Sequence, residues 1–355
     1  MAEVLLGMSG GVDSTVSVYL LRRAGHKVTG ITFIMHGDDD TASAASESAS
    51  LAAREAGIEL ITADLRSRFR DAVETPFTDA YFEGRTPNPC VLCNARIKFP
   101  ELLRCADELG FSHIATGHYA SVTEKNGNFY ISEPADKAKD QTYFLFSLGQ
   151  NVLSRLILPL SDLTKDDVRR IASEQGLSCA SKRDSQDVCF IPDGDVGAYL
   201  NGVRPGLSFP GNFTDASGKI LGRHKGIANY TVGQRKGLGI ASNAPLYVQR
   251  IDKENNSVIL CRDNELFRSR IRVSRCVYAA EAPSEPFRAD VRIRYTKRTA
   301  PATVIPLSDG GAIVEFDAPQ RAPAPGQSAV FYLTDGCASY VYGGGTILYD
   351  PSLDS

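Results

Sequence analysis

The sequence lacks a long hydrophobic run. No stretch of about 18 consecutive apolar residues, the length needed to cross a bilayer, occurs in it, so we expect no membrane span. A basic segment followed by an apolar signal run is also missing from its start, which favours a cytoplasmic protein. In that compartment the eight cysteines are expected to be thiols, metal ligands or catalytic groups rather than a disulfide framework.

Acidic residues are absent from Ala216 to Ile251, although the whole chain has a net charge of −3. The basic residues of this window are Lys219, Arg223, Lys225, Arg235, Lys236 and Arg250. A second basic group consists of Arg292, Arg294, Lys297 and Arg298. The net charge excludes a polybasic protein, but two local basic faces would fit contact with a nucleic-acid backbone. The alternative is ordinary solvated charge on strands and loops.

Length and pattern predict several domains. A chain of 355 residues with 43% hydrophobic residues is typical of a globular protein with two or three domains. Strand-like and helical segments alternate in the first part, which predicts an α/β domain with a parallel sheet over residues 1–203. Helical periodicity ends near Arg204 and short strand-like runs follow. We therefore predict a small β-rich central domain over 204–268 and a C-terminal β-barrel over 269–355.

The predicted elements place ligand sites at one edge of the parallel sheet. Strands are predicted over 4–8, 27–35, 58–63 and 112–116, and helices over 15–23, 41–56, 66–83, 100–109 and 163–172. Thr164 is the expected cap of the last helix, and Asn126-Gly127 is typical of a hairpin turn. Ligands of such sheets bind at the carboxyl ends of the strands, where Gly7, Phe33 and Gly117 lie.

A glycine-rich turn follows the first strand: Gly7-Met8-Ser9-Gly10-Gly11-Val12-Asp13-Ser14. Glycines let the backbone approach a ligand, and the free N–H groups of a helix start favour an anion. The turn lacks the lysine of a Walker A loop and the spacing of a Rossmann fingerprint. It matches the pyrophosphatase (PP) loop of enzymes that split ATP into AMP and pyrophosphate to adenylate a substrate. The alternative is a tight strand-to-helix turn that happens to be rich in Gly and Ser.

Three cysteines lie in segments of their own. Cys90 and Cys93 are three residues apart, as in redox or metal pairs, and Pro87 and Pro89 stiffen the chain before them. Cys189 stands directly before an apolar segment. Taken singly, each thiol could equally be a buried apolar side chain.

Together these motifs resemble bacterial tRNA-specific 2-thiouridylases along nearly the full length of the chain. The matching segments, in order, are Gly7–Ser14, Thr86–Pro89 with Cys93-Asn94 and Ile97–Phe99, Ala115–Tyr119, Lys139–Phe144, Asp184-Ser185 with Cys189–Ile191, Gly233–Gly239, Arg294-Tyr295 and Pro325–Gln327. Each segment alone is modest evidence, and their order and spacing carry the resemblance.

The resemblance implies a reaction. ATP would adenylate the 2-carbonyl oxygen of a wobble uridine, and sulfur carried as a persulfide on Cys189 would then replace it. Cys93 would attack that persulfide, either freeing sulfide or leaving a disulfide with Cys189. The PP loop would hold the ATP phosphates, with Asp13 as an indirect Mg²⁺ partner. The implied ATP-binding residues are Gly7, Met8, Ser9, Gly10, Gly11, Val12, Asp13, Ser14, Phe33 and Gly117.

The resemblance also implies partners. Asn88, Pro89 and Cys90 would face the target base, and the remaining implied tRNA contacts are His118, Lys139, Asp140, Gln141, Arg294, Tyr295 and Gln327. The family suggests tRNAs for Lys, Glu and Gln, with a cysteine desulfurase or a sulfur-relay carrier as persulfide donor. From the residues alone, His118 could be a structural histidine and Arg294 a solvated strand residue.

Cys90 departs from the family pattern, since the best-known members carry Asp at this position as a general acid or base. A thiol has a very different pKa from a carboxylate, so that catalytic role is in question here. Cys90 also creates a trio with Cys93 and Cys189. Three thiols could ligate an iron–sulfur cluster with one open iron, or zinc with an added ligand.

Two other functions remain open. One is a PP-loop ligase that adenylates a small molecule, as argininosuccinate and GMP synthetases do. The cysteine pair and the β-rich tail argue against it. The other is a non-catalytic tRNA-binding or sulfur-carrier protein. Binding alone needs no ATP loop, so the presence of Ser9, Asp13 and Ser14 argues against a non-catalytic function.

Overall fold

The N-terminal part of the chain forms a parallel sheet. The computed structural model describes residues 1–182, 188–191, 193–336 and 338–353. Five parallel strands run in the order β3-β2-β1-β4-β7. Their bounds are β1 (Glu3–Gly7), β2 (Lys27–Ile34), β3 (Leu60–Asp64), β4 (His113–Thr116) and β7 (Leu156–Ile157). The predicted parallel sheet is confirmed, and β7 is an additional short edge strand.

Helices cover both faces of this sheet. They are α1 (Val12–Arg23), α2 (Asp39–Ala56), α3 (Arg66–Phe69), α4 (Thr75–Phe82), α5 (Pro89–Cys93), α6 (Phe99–Leu109), α7 (Thr142–Leu145), α8 (Gln150–Leu153), α9 (Lys165–Glu174) and α10 (Val196–Val203). A π-helical turn, Arg70–Glu74, joins α3 to α4. The helix predicted over 66–83 therefore continues past Pro76, because this proline lies in the first turn of α4, where no intrahelical N–H bond is lost.

The helix that carries the first two cysteines begins earlier than predicted. Instead of starting near Pro100, it runs from Pro89 through α5, a π-helical turn over Asn94–Lys98 and α6. The Asn88 side chain accepts hydrogen bonds from the backbone N–H groups of Cys90 and Val91 and caps the helix. The sequence prediction overlooked this Asn-Pro start signal, which places Cys90 and Cys93 on one helical face.

The middle of the chain forms a separate mixed sheet. Its strands are β8 (Gly211–Thr214), β9 (Ile220–His224), β10 (Tyr247–Asp252) and β11 (Ser257–Cys261), in the order β10-β11-β8-β9. Phe213, Val248 and Val258 are fully buried in its core. Strand β8 was not predicted, because it is only four residues long and starts with glycine.

The C-terminal part is a closed six-stranded antiparallel barrel, as predicted. Its strands run in the order β12-β15-β14-β13-β16-β17, and β17 pairs back with β12. Their bounds are β12 (Phe267–Tyr278), β13 (Phe287–Arg292), β14 (Ala300–Pro306), β15 (Ala312–Arg321), β16 (Ser328–Asp335) and β17 (Ala338–Leu348). The predicted boundary after residue 268 falls inside β12.

A hairpin from the N-terminal part of the chain extends the barrel sheet. It consists of β5 (Ser121–Lys125) and β6 (Asn128–Ser132), joined at Asn126-Gly127, both with positive φ. In β6, Ser132 pairs with Tyr340 of β17. The α/β part and the barrel thus share one sheet. Among the described residues, no helix combines the length and apolar character that a bilayer crossing requires.

Candidate active site

The glycine-rich turn forms a closed loop between β1 and α1. The Ser14 hydroxyl accepts a hydrogen bond from the Ser9 N–H at 3.2 Å and donates one to the Gly11 carbonyl at 3.1 Å. Gly10 has φ +70°, and a Cβ there would lie 2.6 Å from the backbone carbon of Ser48 in α2. The loop therefore has a fixed shape that only glycine at position 10 permits, at the start of a helix whose dipole favours an anion.

The carboxyl end of β4 lies directly against this loop. A Cβ on Gly117 would come within 2.9 Å of the Ser14 nitrogen and 3.0 Å of the Asp13 carbonyl carbon. The strand ends that carry Gly7 and Gly117 are thus brought together, as the sheet topology requires. Phe33, near the end of β2, is half-buried and packs against the core of the domain. Its proximity to an adenosine stays a prediction.

Asp13 is held by two partners that the sequence analysis missed. Its carboxylate accepts hydrogen bonds from Lys165 Nζ at 2.7 and 2.8 Å and from the Tyr119 hydroxyl at 2.8 Å. Lys165 lies in the first turn of α9, where the helix dipole disfavours a cation. This unusual position in the sequence indicates that the lysine has an anionic partner. Because Asp13 is already engaged by a cation, its carboxylate does not fit a direct Mg²⁺ ligand.

A second lysine approaches the loop from another side. Lys182 Nζ donates to the Ser48 hydroxyl at 2.6 Å and to the Gly10 carbonyl at 3.3 Å. Lys182 therefore brings a positive charge to a loop that lacks the lysine of a Walker A motif. Nothing in its sequence context distinguished it from a surface lysine.

The two helical cysteines lie at the same edge of the sheet. Cys93 is buried, and its Sγ lies 3.8 Å from Sδ of Met35, the residue that follows β2. Cys90 is exposed, as is Cys189. All three are free thiols, and Met35 was a contact that the sequence analysis missed. Met35 stands two residues after Phe33, which the sequence analysis had already placed at this edge.

The three thiols share one electrostatic environment. The pKa of Cys189 is raised to about 11, mainly by desolvation and to a smaller extent by the neighbouring Cys93 and Cys90 thiols. Desolvation also raises the pKa of Cys93 and of Cys90. The Lys98 ammonium opposes all three shifts. The thiols are therefore predominantly protonated at neutral pH, and Lys98 is the cation that favours their thiolates.

Among the described residues, these thiols are not part of a metal-binding arrangement. Within the described ranges, which include Cys90, Cys93 and Cys189, no three His, Cys, Asp or Glu side chains are arranged to hold a metal ion. The geometry therefore does not fit the iron–sulfur or zinc alternative raised from the sequence.

His118 lies beside the same lysine. Its Nδ1 is 2.8 Å from the Thr116 hydroxyl, and its ring packs 5.7 Å from that of Phe99. Desolvation and the Lys98 charge lower its pKa well below the usual value, so the imidazole is neutral. A neutral ring can donate or accept one further hydrogen bond, and contact with tRNA stays a prediction.

Two residues predicted to touch tRNA have internal partners. Asp140 is buried, pairs with Arg292 and accepts a hydrogen bond from the Thr142 N–H at the start of α7. The Gln141 side chain accepts a hydrogen bond from the Tyr119 N–H at 2.8 Å. Both side chains thus organise the segment that follows Lys139, and their direct contact with RNA stays untested.

Gln327 and Arg294 also bond within the protein. Gln327 Nε2 donates to the Thr86 carbonyl at 3.1 Å and ties the barrel to the chain before α5. Arg294 is half-buried and donates to the backbone carbonyls of Arg321 and Ala322. Both are more constrained than the surface contacts that the resemblance implied.

Tyr295 is, beside Cys90, an exposed member of the predicted tRNA contacts. Its side chain is 48% exposed, and its ring lies 4.3 Å from that of Phe144. Desolvation raises its pKa, and the charges that act on it include Lys139 and Cys90. Tyr295 therefore places the loop after β13 next to the cysteine site.

Pro89, another residue predicted to face the target base, is buried in the first turn of α5.

The second basic group is not the surface cluster that the sequence suggested. Arg292 is only 4% exposed and is paired with Glu133 and Asp140. Of this group, only Lys297 and Arg298 are exposed. Val291 faces the barrel core, so the alternation of β13 places Arg292 on the outer face of the barrel, where Asp140 and Glu133 surround it. Residue identity alone did not reveal this burial. By contrast, all but Arg250 of the first group are exposed.

Models of known protein families cover most of the chain. A tRNA methyl transferase HUP domain matches residues 2–193, and a tRNA methyl transferase PRC-barrel domain matches 199–262. An aminomethyltransferase beta-barrel domain matches 268–347. The predicted motif residues Asp184 and Ser185 fall within the first match but lie outside the described residues.

Curated relatives match nearly end to end. A protein of Clostridium acetobutylicum is 41% identical, covering 97% of this chain and 99% of its own. Relatives from Syntrophotalea carbinolica and Acetivibrio thermocellus are 43% and 41% identical, covering 97% of this chain and 98% and 99% of their own. All three are named tRNA-specific 2-thiouridylase MnmA.

Proposed function

The chain belongs to the family of tRNA-specific 2-thiouridylases, and from this premise we propose that it catalyses ATP-dependent 2-thiolation of the wobble uridine of tRNA. The observation that carries the proposal is the location of its two chemical sites. The PP loop follows β1, and Cys93 contacts Met35 directly after the neighbouring strand β2. Cys189 is electrostatically coupled to Cys93. One base at this edge could therefore meet both an activated phosphate and a thiol.

The first step is adenylation. The O2 atom of the uridine attacks the α-phosphorus of ATP, the bond to the β-phosphate breaks, and pyrophosphate leaves. The loop N–H groups between Ser9 and Ser14 hold the phosphates, while Lys182 neutralises part of their charge. Phe33 and Gly117 flank the adenosine. Mg²⁺ bound to the nucleotide would neutralise further phosphate charge, and Asp13, which already pairs with Lys165, would interact with it only indirectly.

The second step is sulfur transfer. Cys189 carries a persulfide, and the Cys93 thiolate attacks its inner sulfur to form a Cys93–Cys189 disulfide. The outer sulfur leaves as sulfide with the bonding electron pair, attacks C2 of the uridine and expels AMP. The two cysteines are oxidised as the sulfane sulfur is reduced, so a thiol reductant must restore them before a donor loads Cys189 again.

Several groups hold the base and the tRNA. Asn88, Pro89 and Cys90 face the target base at the start of α5. Lys98 stabilises the Cys93 thiolate and neutral His118 supplies a hydrogen bond. We assign further tRNA contacts to Lys139, Asp140, Gln141, Arg294, Tyr295 and Gln327, and a second contact surface to the acid-free window of the central sheet. The substrates would be tRNAs for Lys, Glu and Gln, and the donor a cysteine desulfurase or relay protein.

The test is mass analysis of unmodified tRNA after incubation with the enzyme, ATP, Mg²⁺ and a persulfide donor. We expect a 2-thiouridine nucleoside, with one AMP released per sulfur incorporated. Cys189→Ser should abolish the product. Cys105→Ser is the matched control, because Cys105 is a buried thiol of α6 outside the trio. Absence of 2-thiouridine with the wild type, or full activity of Cys189→Ser, would refute the proposal.

Two other reactions are separated by the same assay. Two of the matching family models are described as methyl transferase domains, and a methylated uridine formed from a methyl donor would identify that chemistry. A small-molecule adenylating ligase would release AMP and pyrophosphate without tRNA. The location of the Cys93 thiol at the sheet edge, with Cys189 close enough to affect its charge, favours sulfur transfer over both.

A further inference from the structure

The short helix α7 is held against the barrel by hydrogen bonds and a ring contact. The Thr142 hydroxyl is 3.0 Å from the Tyr332 hydroxyl of β16, and the Tyr143 hydroxyl donates to the Ser328 carbonyl at 2.9 Å. The Phe144 ring packs against Tyr295 of the loop after β13. Thr142 and Tyr143 are completely buried. A four-residue helix has little stability of its own, so its position depends on these contacts.

The opposite side of α7 holds the cysteine helix. Asn94 Nδ2 donates to the Phe144 carbonyl at 3.0 Å. Asn94 is 3% exposed and directly follows Cys93 in the chain. The donor side chain is buried and the bond partly so, and the orientation of the turn that carries Cys93 therefore depends on where α7 lies.

Arg292 links the barrel to the start of α7. It ends β13, pairs with Asp140 and with Glu133, and its guanidinium lies 4.4 Å from the centre of the Tyr332 ring. Asp140 in turn accepts the hydrogen bond from the Thr142 N–H. A single buried cation thus connects the outer face of the barrel, the Asp140 carboxylate and the first turn of α7.

We propose that Arg292 is a positioning residue for Cys93 and that it acts through Asp140, α7 and Asn94. Without the guanidinium, Asp140 would be a buried carboxylate without its cation and would turn toward water. The first turn of α7 would shift with it, and the Phe144 carbonyl would no longer hold Asn94 in place. A misplacement of a reacting group by about 1 Å can cost about 100-fold in rate.

The proposal rests on the thiolation function proposed above, and a variant series tests it. Arg292→Gln removes the charge, Arg292→Lys keeps it, and Tyr332→Phe removes only the hydroxyl near Thr142. Arg288→Gln is the matched control, because Arg288 is on the same strand but pairs with the exposed Asp317. Thermal unfolding verifies that each variant is folded.

Three rates are measured: sulfur transfer to adenylated tRNA in a single turnover, ATP cleavage, and alkylation of Cys93 by iodoacetamide, located by mass spectrometry. For Arg292→Gln we expect sulfur transfer to fall about 10- to 100-fold. Cys93 should be alkylated several-fold faster relative to Cys90. ATP cleavage and the Kd for tRNA should change less than about twofold. Arg292→Lys should recover part of the loss, and Arg288→Gln should behave as wild type.

A loss of tRNA affinity with an unchanged rate of sulfur transfer would overturn the proposal, because it would identify Arg292 as a binding residue. Unchanged Cys93 alkylation would overturn it as well. If Arg292→Gln unfolds, Tyr332→Phe decides: normal sulfur transfer and alkylation in that variant would reject the path through α7. If the wild type forms no 2-thiouridine, the proposed function fails, while the alkylation rates still test the positioning of Cys93.

Discussion

The ATP loop and the cysteine site lie on the same sheet edge but are built in different ways. The loop from Gly7 to Ser14 is one continuous segment, closed by its own hydrogen bonds. The cysteine site combines a helix from residue 89 onward, a segment near residue 189 and a loop of the barrel. The first is preorganised locally. The second exists only when distant parts of the chain are packed together.

The charged groups of the two regions also differ in how far they are arranged before a ligand binds. At the loop, Lys165 is paired with Asp13 and Lys182 lies against the Gly10 carbonyl, so the cations are in place before a nucleotide binds. At the cysteine site, desolvation raises the pKa of every thiol, and the Lys98 charge is the one factor that opposes this shift at all three. The loop is ready for its ligand, whereas the thiols need activation.

The substitution Cys93→Ser should distinguish the roles of the two regions most clearly. The hydroxyl cannot attack a persulfide, so we expect 2-thiouridine formation to fall at least about 1,000-fold. The loop is untouched, so ATP binding should stay within about twofold of the wild type. Nucleoside mass analysis and nucleotide titration measure the two effects, with Cys105→Ser as control. Loss of ATP binding in Cys93→Ser would show that the regions are not independent.

Gly117→Ala is the reciprocal change, aimed at the loop. The new Cβ would lie 2.9 Å from the Ser14 nitrogen and push the start of α1 away from β4. We expect ATP cleavage to fall about 100-fold, while the reactivity of Cys93 toward iodoacetamide is unchanged. Gly202→Ala in α10 is the control, since a Cβ there meets no atom within 4 Å. Normal ATP cleavage by Gly117→Ala would contradict the close packing at this edge.

Lys98→Gln tests the activation of the thiols through pH. Because their pKa values are raised, the thiolate fraction and the rate of sulfur transfer should increase about tenfold per pH unit between pH 7 and 8. Removing the ammonium raises the pKa further, so the profile moves to higher pH and the rate at pH 7 falls about tenfold. Lys98→Arg retains the charge and should keep the profile. An unshifted profile for Lys98→Gln would exclude Lys98 as the activating cation.

Thr164→Ala should have the smallest effect. Thr164 and Asp167 form a reciprocal cap at the start of α9, just before Lys165. Losing the hydroxyl should cost about 1 kcal/mol in the free energy of unfolding, measured by denaturant titration. ATP affinity should fall less than about fivefold, since Lys165 keeps its bond to Asp13. Thr164→Ser is the control, and a larger loss of ATP affinity would show that the cap itself positions Lys165.

Much of the fold was predictable because its signals are local. Apolar runs, a capping threonine and the Asn126-Gly127 turn indicate elements through the backbone preferences of a few residues. The start of α5 was missed even though Asn88 and Pro89 form such a signal. The pairing of β6 with β17 could not be anticipated, because strand pairing at long range depends on the whole sheet rather than on either segment.

The candidate site divides in the same way. The glycine loop and the cysteines could be found by pattern, since chemistry requires particular residue types at fixed spacing. Lys182 and Met35 could not, because each acts through a contact with a distant segment. The assignment of Arg292 to a basic surface was wrong for a related reason: a strand arginine looks the same in sequence whether it meets water or a buried carboxylate.

The sequence by itself determined that the chain carries an ATP loop at a strand end and thiols suited to sulfur chemistry, because glycine geometry and thiol reactivity are properties of the residues themselves. The tertiary structure decided that Lys165 pairs with Asp13, that the charge of Lys98 acts on three thiols, and that Arg292 is buried against Asp140. Desolvation and ion pairing arise only when distant segments exclude water together, so neither can be read from residue order.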